Sequence, residues 1–316
     1  MEYGKANLEV FAETLLELAQ FDRDILVVTS DSRGSGKLVP FGDALPQQHV
    51  EVGIAEQNLV GVAAGLASTG KQVFAVSPAC FLTARALEQI KNDVAYSDNP
   101  VKVIGISAGV SYGALGTTHH SLHDYAALRA INNIDIIAPA DNFETRAAIR
   151  AAINHPRPLY IRFGKRSMLN LHAPDTEFHI GKAITLREGN DVTFVAIGET
   201  VAPAVLAADQ LADEGISTRV ISMHTLKPFD DAALLAAARD TRVLITVEEH
   251  SMYGGLGEQC ASVLFENRVF PQFKIVGFPD EYMATGSQAE VLAHYGMSPD
   301  GLAKTARTLL EREPTL

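Results

Sequence analysis

The sequence predicts an α/β protein of two domains, each with a mainly parallel sheet flanked by helices, and three observations carry that expectation. Short apolar, β-rich runs recur along the chain, beginning with ILVVT at residues 25–29. Between them lie longer segments in which apolar residues return every three or four positions, the period of a helix buried on one face. Residues 167–188 interrupt the pattern with a polar stretch that carries Pro174, and the alternation then restarts. Short buried strands joined by helices give parallel sheets covered on both faces.

Taken in order, residues 6–21 hold the first helical period and lead into the strand at 25–29. Further strands are expected near 73–77, 101–107, 134–138 and 158–163, with helices near 55–69, 81–97, 122–132 and 141–154. The last of these helices opens on Asp141 with Glu144 three positions on, the spacing of a capping box. The stretch 167–188 reads as a linker between a first domain at 1–166 and a second at 189–316. In the second domain, strands at 191–198, 217–222 and 242–247 alternate with helices at 200–214, 230–238 and 255–267. Two more helices follow near 287–294 and 298–312.

Composition narrows the function classes. With 316 residues the chain can bury two sizeable cores, and 47% hydrophobic against 20% charged residues is the balance of a soluble globular protein. A net charge of -12 repels phosphate backbones and anionic lipids, which argues against nucleic-acid and membrane-surface partners. No apolar run approaches the roughly 20 residues of a membrane helix. The start, MEYGKANLEVFAETL, lacks the basic-then-apolar pattern of a secretory signal, so the cytoplasm is the expected compartment. Cys80 and Cys260 form no C-x-x-C pair and read as buried thiols.

Four stretches carry candidate chemistry. In VEVGIAEQN (50–58), Glu56 stands at the mouth of an apolar helix running through Leu59, Val60, Val62, Ala63 and Leu66. Either it complements the positive end of the helix dipole, or burial raises its affinity for a proton that it then shares with a ring nitrogen. In YGALGTTHHSLHD (112–124), His119 and His123 are four apart, which suits a metal on a helix or two solvated loop histidines. PLYIRFGKR (158–166) is a strand ending in three cations, of which Lys165 and Arg166 read as surface residues. The cluster Gly254-Gly255-x-Gly257 opens a helix, as a phosphate or dinucleotide cradle does.

The run GIAEQN (53–58), with the Gly- and Ala-rich helix after it, resembles the pyrimidine-binding domain of transketolases and related thiamine-diphosphate enzymes. RALEQI (85–90) is similar to split transketolases, and TLKPFD (225–230) with VEEHSMYGGLGEQCASVL (247–264) resembles the family's C-terminal domain. The resemblance thus spans about 5–312. It implies that Glu56 hydrogen-bonds N1′ of the aminopyrimidine of thiamine diphosphate and so activates the cofactor, which supplies the carbanion chemistry. It implies that Phe81 stacks on that ring, although Pro78 and Ala84 stand where the family has two further aromatics; ordinary core packing is the alternative for Phe81. His119 matches a histidine that contacts the substrate oxygen beside the reacting carbonyl, a task suited to an imidazole. Arg162 matches an arginine that binds the sugar phosphate, and its alternative is a carboxylate partner.

Departures from the family pattern shape the substrate and partner expectations. Leu115 stands where many transketolases place an Asp that reads sugar hydroxyls, and Ser107 where they place a histidine of the sugar-phosphate channel. A less polar pocket suggests a branched, deoxy or otherwise modified sugar. No GDG occurs in the chain, whereas the family uses GDG and a later Asn to ligate the Mg²⁺ that bridges the cofactor phosphates. The chain is therefore expected to contribute no metal ligand and to act with an N-terminal transketolase subunit carrying that motif, in an α2β2 assembly. Such a complex transfers a two-carbon ketol unit from a ketose to an aldehyde. The rival readings are the β subunit of a 2-oxoacid dehydrogenase and a non-catalytic interaction subunit of the same fold.

Overall fold

The computed structural model describes residues 2–173 and 175–311, so Pro174 and the last residue of the helix expected at 298–312 lie outside it. In chain order the strands are β1 (Tyr3–Ala6), β2 (Ile25–Thr29), β3 (His49–Glu51), β4 (Gln72–Pro78), β5 (Lys102–Ile106), β6 (Asp135–Ile137), β7 (Leu159–Phe163), β8 (Ser167–Leu169), β9 (Ile184–Arg187), β10 (Val192–Ala196), β11 (Thr218–Ser222), β12 (Thr225–Lys227), β13 (Val243–Ser251) and β14 (Gln272–Phe278). One sheet runs β12-β6-β7-β5-β4-β2-β3 and is parallel except at β12. A second runs β14-β13-β10-β11-β9 and is parallel except at β9, and β1 with β8 forms a small antiparallel third.

Alternation along each strand distributes its side chains between two helical layers. Val27, Phe74, Val76, Ile104, Ile106, Ile161 and Phe163 face a core shared with Phe11 and Leu15 of the helix Asn7–Ala19 and with Ile149 of the helix Asn142–Ile153. Val28, Val73, Ala75, Val103 and Tyr160 point the other way, onto Leu59, Val60 and Ala63 of the helix Glu56–Ala67. A sheet buried on both faces explains why these strands are mainly apolar.

The expected linker is more structured than its composition suggests. β8 pairs antiparallel with β1, and β9 joins the edge of the second sheet. β12, from beyond the linker, crosses back to pair with β6 in the first sheet. Asp141 accepts from the Glu144 backbone N–H at 3.0 Å, as the capping spacing predicts. The Glu144 carboxylate does not complete the box; it accepts from Ala140 N–H at 2.6 Å and from the Ser222 hydroxyl at 2.6 Å. His172 of the linker lies between Asp141 (2.9 Å) and Glu144 (3.1 Å). Burial opposes its charge, yet hydrogen bonds to the two carboxylates push the imidazole up to about 9.

Two further acids lie buried in the second domain, near its contact with the first. Glu199 accepts from the Gly164 N–H at 3.1 Å, and a β-carbon at position 164 would stand 2.1 Å from its carboxylate, so any side chain there would displace Glu199. Burial, reinforced by Glu249, pushes Glu199 up to about 7, and burial does the same to Glu248. Folded chains therefore keep protons that the unfolded chain, with an ordinary value of 4.5, has released. The contribution of these groups to stability falls as pH rises from about 4.5 to 7 and stays low above it, by about 3 kcal/mol each. In urea unfolding, Glu199→Gln is expected to match wild type near pH 5 and to exceed it by about 2–3 kcal/mol near pH 8. A gain of equal size at both pH values would show that Glu199 carries no retained proton.

Candidate active site

In open parallel sheets, ligands bind beyond the carboxyl ends of the strands. The candidate residues gather there: Glu56 opens the helix after β3, Phe81 lies in the helix Ala79–Arg85 directly after β4, and His119 lies on the loop after β5. Glu56 is buried because Leu59, Val60 and Ala63, at i+3, i+4 and i+7, put it on the same stripe facing the sheet. It is 4% exposed, and no side chain caps its helix.

A continuous line of contacts joins these residues. Arg85 Nη1 donates to both Glu56 carboxylate oxygens at 3.1 Å. The Arg85 guanidinium carbon stands 4.4 Å over the half-buried Phe81 ring. The His119 imidazole meets Phe81 edge-on at 5.2 Å and Tyr112 at 5.7 Å. Lys165 Nζ sits 4.3 Å from the Tyr112 ring centre. The line thus has a carboxylate at one end, two rings and an imidazole along it, and an exposed ammonium at the other.

The loop that presents His119 is pinned from below. The Val110 N–H donates to Glu249 at 2.8 Å, and a β-carbon at Gly109 would lie 2.3 Å from that carboxylate. Thr118 Oγ1 lies 2.9 Å from His119 Nδ1, which leaves Nε2 for a ligand. His123 instead faces Thr83 Oγ1 at 3.3 Å, and buried His120 faces the Gly113 carbonyl at 3.1 Å. Burial lowers the proton affinity of His120, so it is a neutral structural imidazole. Leu115 is 56% exposed, whereas Ser107 is fully buried.

Arg162 is not a free phosphate hook in this chain. Its guanidinium is 7% exposed, donates from Nη1 to both Asp124 oxygens at 2.9 and 3.1 Å, and donates from Nη2 to the Glu249 carbonyl at 2.9 Å. The Tyr160 hydroxyl completes Asp124 at 2.7 Å, and the Tyr125 ring lies against the guanidinium at 4.4 Å. The carboxylate alternative is therefore the one observed. Lys165, three residues on, is exposed beside Tyr112, although the sequence presents it as a solubility residue. The glycine cluster is likewise filled from within: Glu248 accepts from Leu256 and Gly257 N–H at 2.6 and 2.7 Å, and Arg129 donates to the Gly255 carbonyl at 2.9 Å. A helix N-terminus already holding a carboxylate has no vacancy for a phosphate.

Residues 4–169 match the transketolase pyrimidine-binding domain and residues 181–302 the transketolase C-terminal domain. The chain belongs to the transketolase family. It is 48% identical to one of the subunits of the apulose-4-phosphate transketolase of Phocaeicola vulgatus, over 96% of each chain. It is 36% identical to a subunit of the 6-deoxy-6-sulfo-D-fructose transketolase of a Clostridium species, over 96% of this chain and 94% of that one. Among solved structures, a split-gene transketolase described as an inactive beta4 tetramer superposes with a TM-score of 0.88 at 37% identity, covering 97% of this chain and 99% of the other. The transketolase assignment carries thiamine diphosphate with it as the family's cofactor. This subunit's residues suit the pyrimidine end of that molecule, since a flat amino ring needs a carboxylate at its edge and an apolar ring on its face. Glu56 and Phe81 offer both, close enough for Arg85 to touch the two at once.

Proposed function

We propose that this chain is the cofactor-activating subunit of a heteromeric transketolase, in which Glu56 and Phe81 hold the aminopyrimidine of thiamine diphosphate. The observation that carries the reading is a carboxylate 4% exposed, set beside the only candidate stacking ring the family motif leaves. When bound, the cofactor supplies the carbanion that accepts the two-carbon unit. Glu56 holds a proton at the ring nitrogen, and the buried setting excludes water from that exchange. His119, oriented through Nδ1 by Thr118, presents Nε2 to the oxygen next to the reacting carbonyl. Lys165, beyond Tyr112, holds the anionic end of the donor.

We assign the diphosphate and its Mg²⁺ to an N-terminal subunit carrying GDG and the later Asn, in an α2β2 assembly. The absence of GDG from this sequence supports that division of labour. The named substrates of the relatives, apulose-4-phosphate and 6-deoxy-6-sulfo-D-fructose, support a donor other than the ordinary pentose and hexose phosphates, in line with exposed Leu115 on the loop that carries His119. We place the reaction in the cytoplasm, a reading supported by two cysteines that remain free thiols. The test is reconstitution: the chain alone is expected to show no ketol transfer, and addition of the GDG-bearing subunit with thiamine diphosphate and Mg²⁺ to restore it. Robust transfer by the single chain overturns the proposal.

A further inference from the structure

Both surfaces assigned to the aminopyrimidine are already occupied by one side chain of the same subunit. The Arg85 guanidinium is flat, lies 4.4 Å over Phe81, and donates to both oxygens of Glu56 at 3.1 Å. A planar group lying over the ring and hydrogen-bonded to the carboxylate meets the same two surfaces that an aminopyrimidine requires. At 4.4 Å there is no room for a second flat group between the guanidinium and that face of Phe81. The Arg85 side chain is half exposed, so it can swing outward, whereas that of Glu56, at 5%, cannot.

We propose that Arg85 is a positioning residue that stands in for the aminopyrimidine before the cofactor arrives, and that cofactor entry displaces it. The inference rests on the assignment of Glu56 and Phe81 to the cofactor. A buried carboxylate left without a partner is costly, and the guanidinium removes that cost while keeping Glu56 and Phe81 in the arrangement the ring later needs. The same contact lowers apparent cofactor affinity, because only the fraction of subunits with Arg85 swung away can bind. Arg85 thereby holds the site closed to flat aromatic bystanders until a ligand anchored at its far end by the partner subunit competes it off.

The test is calorimetric titration of thiamine diphosphate, with Mg²⁺ and without substrate, into the reconstituted two-subunit complex. Arg85→Gln is expected to bind about five- to ten-fold more tightly than wild type, the gain from freeing a partly exposed ion pair. Arg85→Lys keeps the charge but not the flat, stacked donor, and is expected to fall between the two. Arg85→Gln binding at wild-type strength or more weakly overturns the displacement. Glu56→Gln and Phe81→Ala separate the two ideas. If both weaken binding while Arg85→Gln does not tighten it, the displacement alone fails. If neither changes it, the pyrimidine site itself is misplaced and the displacement goes with it.

Discussion

Glu56→Ala in the reconstituted complex is expected to lower kcat by about 10²–10⁴-fold, the range for losing a positioned proton-transfer group. Among the described residues the carboxylate is reached by one cation of the chain, Arg85, and it sits on the helix stripe that faces the sheet. The acid nearest in sequence cannot replace it, since Glu51 is committed to the Thr29 hydroxyl and the Asp31 N–H at 2.7 Å each. Glu56→Gln keeps the shape and a hydrogen bond but not the proton, so it should fold and assemble normally and remain almost as inactive. Single-turnover and steady-state rates separate this from a folding defect. A variant that retains more than about a tenth of wild-type turnover would remove Glu56 from the chemistry.

Arg162→Ala is expected to act on stability rather than on substrate. It strips the charged partner from Asp124, which is fully buried, and it breaks the bond to the Glu249 carbonyl that crosses between domains. Breaking one side of a buried ion pair costs about 3–5 kcal/mol, enough to unfold a marginal chain. Arg162→Ala/Asp124→Leu, which removes both charges, should recover part of the loss. Lys165→Ala supplies the contrast, since it should leave the unfolding midpoint near wild type and raise KM for an anionic donor. If Arg162→Ala were stable and raised KM instead, a buried structural pair would be the wrong account of that residue.

Much of the fold is legible in the sequence because burial on both faces writes itself into composition. The strands containing Val27, Phe74, Ile104, Ile136 and Ile161 are mainly apolar, with charged Lys102 at the start of one and Arg162 inside another, and the helices between them follow from period alone. β14 escapes such a reading, because Lys274 and Gly277 break its apolar run at a sheet edge where one side needs no apolar cover. β1, β3, β8 and β12 have three or four residues each, too few for a period to show.

The site divides along a similar line. Glu56, Phe81 and His119 belong to local motifs, and each lies at a strand's carboxyl end, where motif order alone would put it. Their partners are not legible. Arg162 finds Asp124 across 38 positions, and Arg85 finds Glu56 across 29, so nothing in the spacing announces either pair. Lys165 looks like a strand-end solubility residue because its neighbour, Tyr112, arrives from a different loop. The glycine cluster at 254–257 misleads for the same reason, since the acid that fills it comes from β13.

The placement of β12 has a consequence for how the polypeptide tolerates being cut. Residues 225–227 cover the outer side of β6, so a fragment ending at the linker would leave the backbone N–H and C=O groups of that strand bare. An uncovered strand margin of this kind recruits other strands and promotes aggregation. The two halves are therefore interleaved rather than strung in tandem, and their melting should be a joint event.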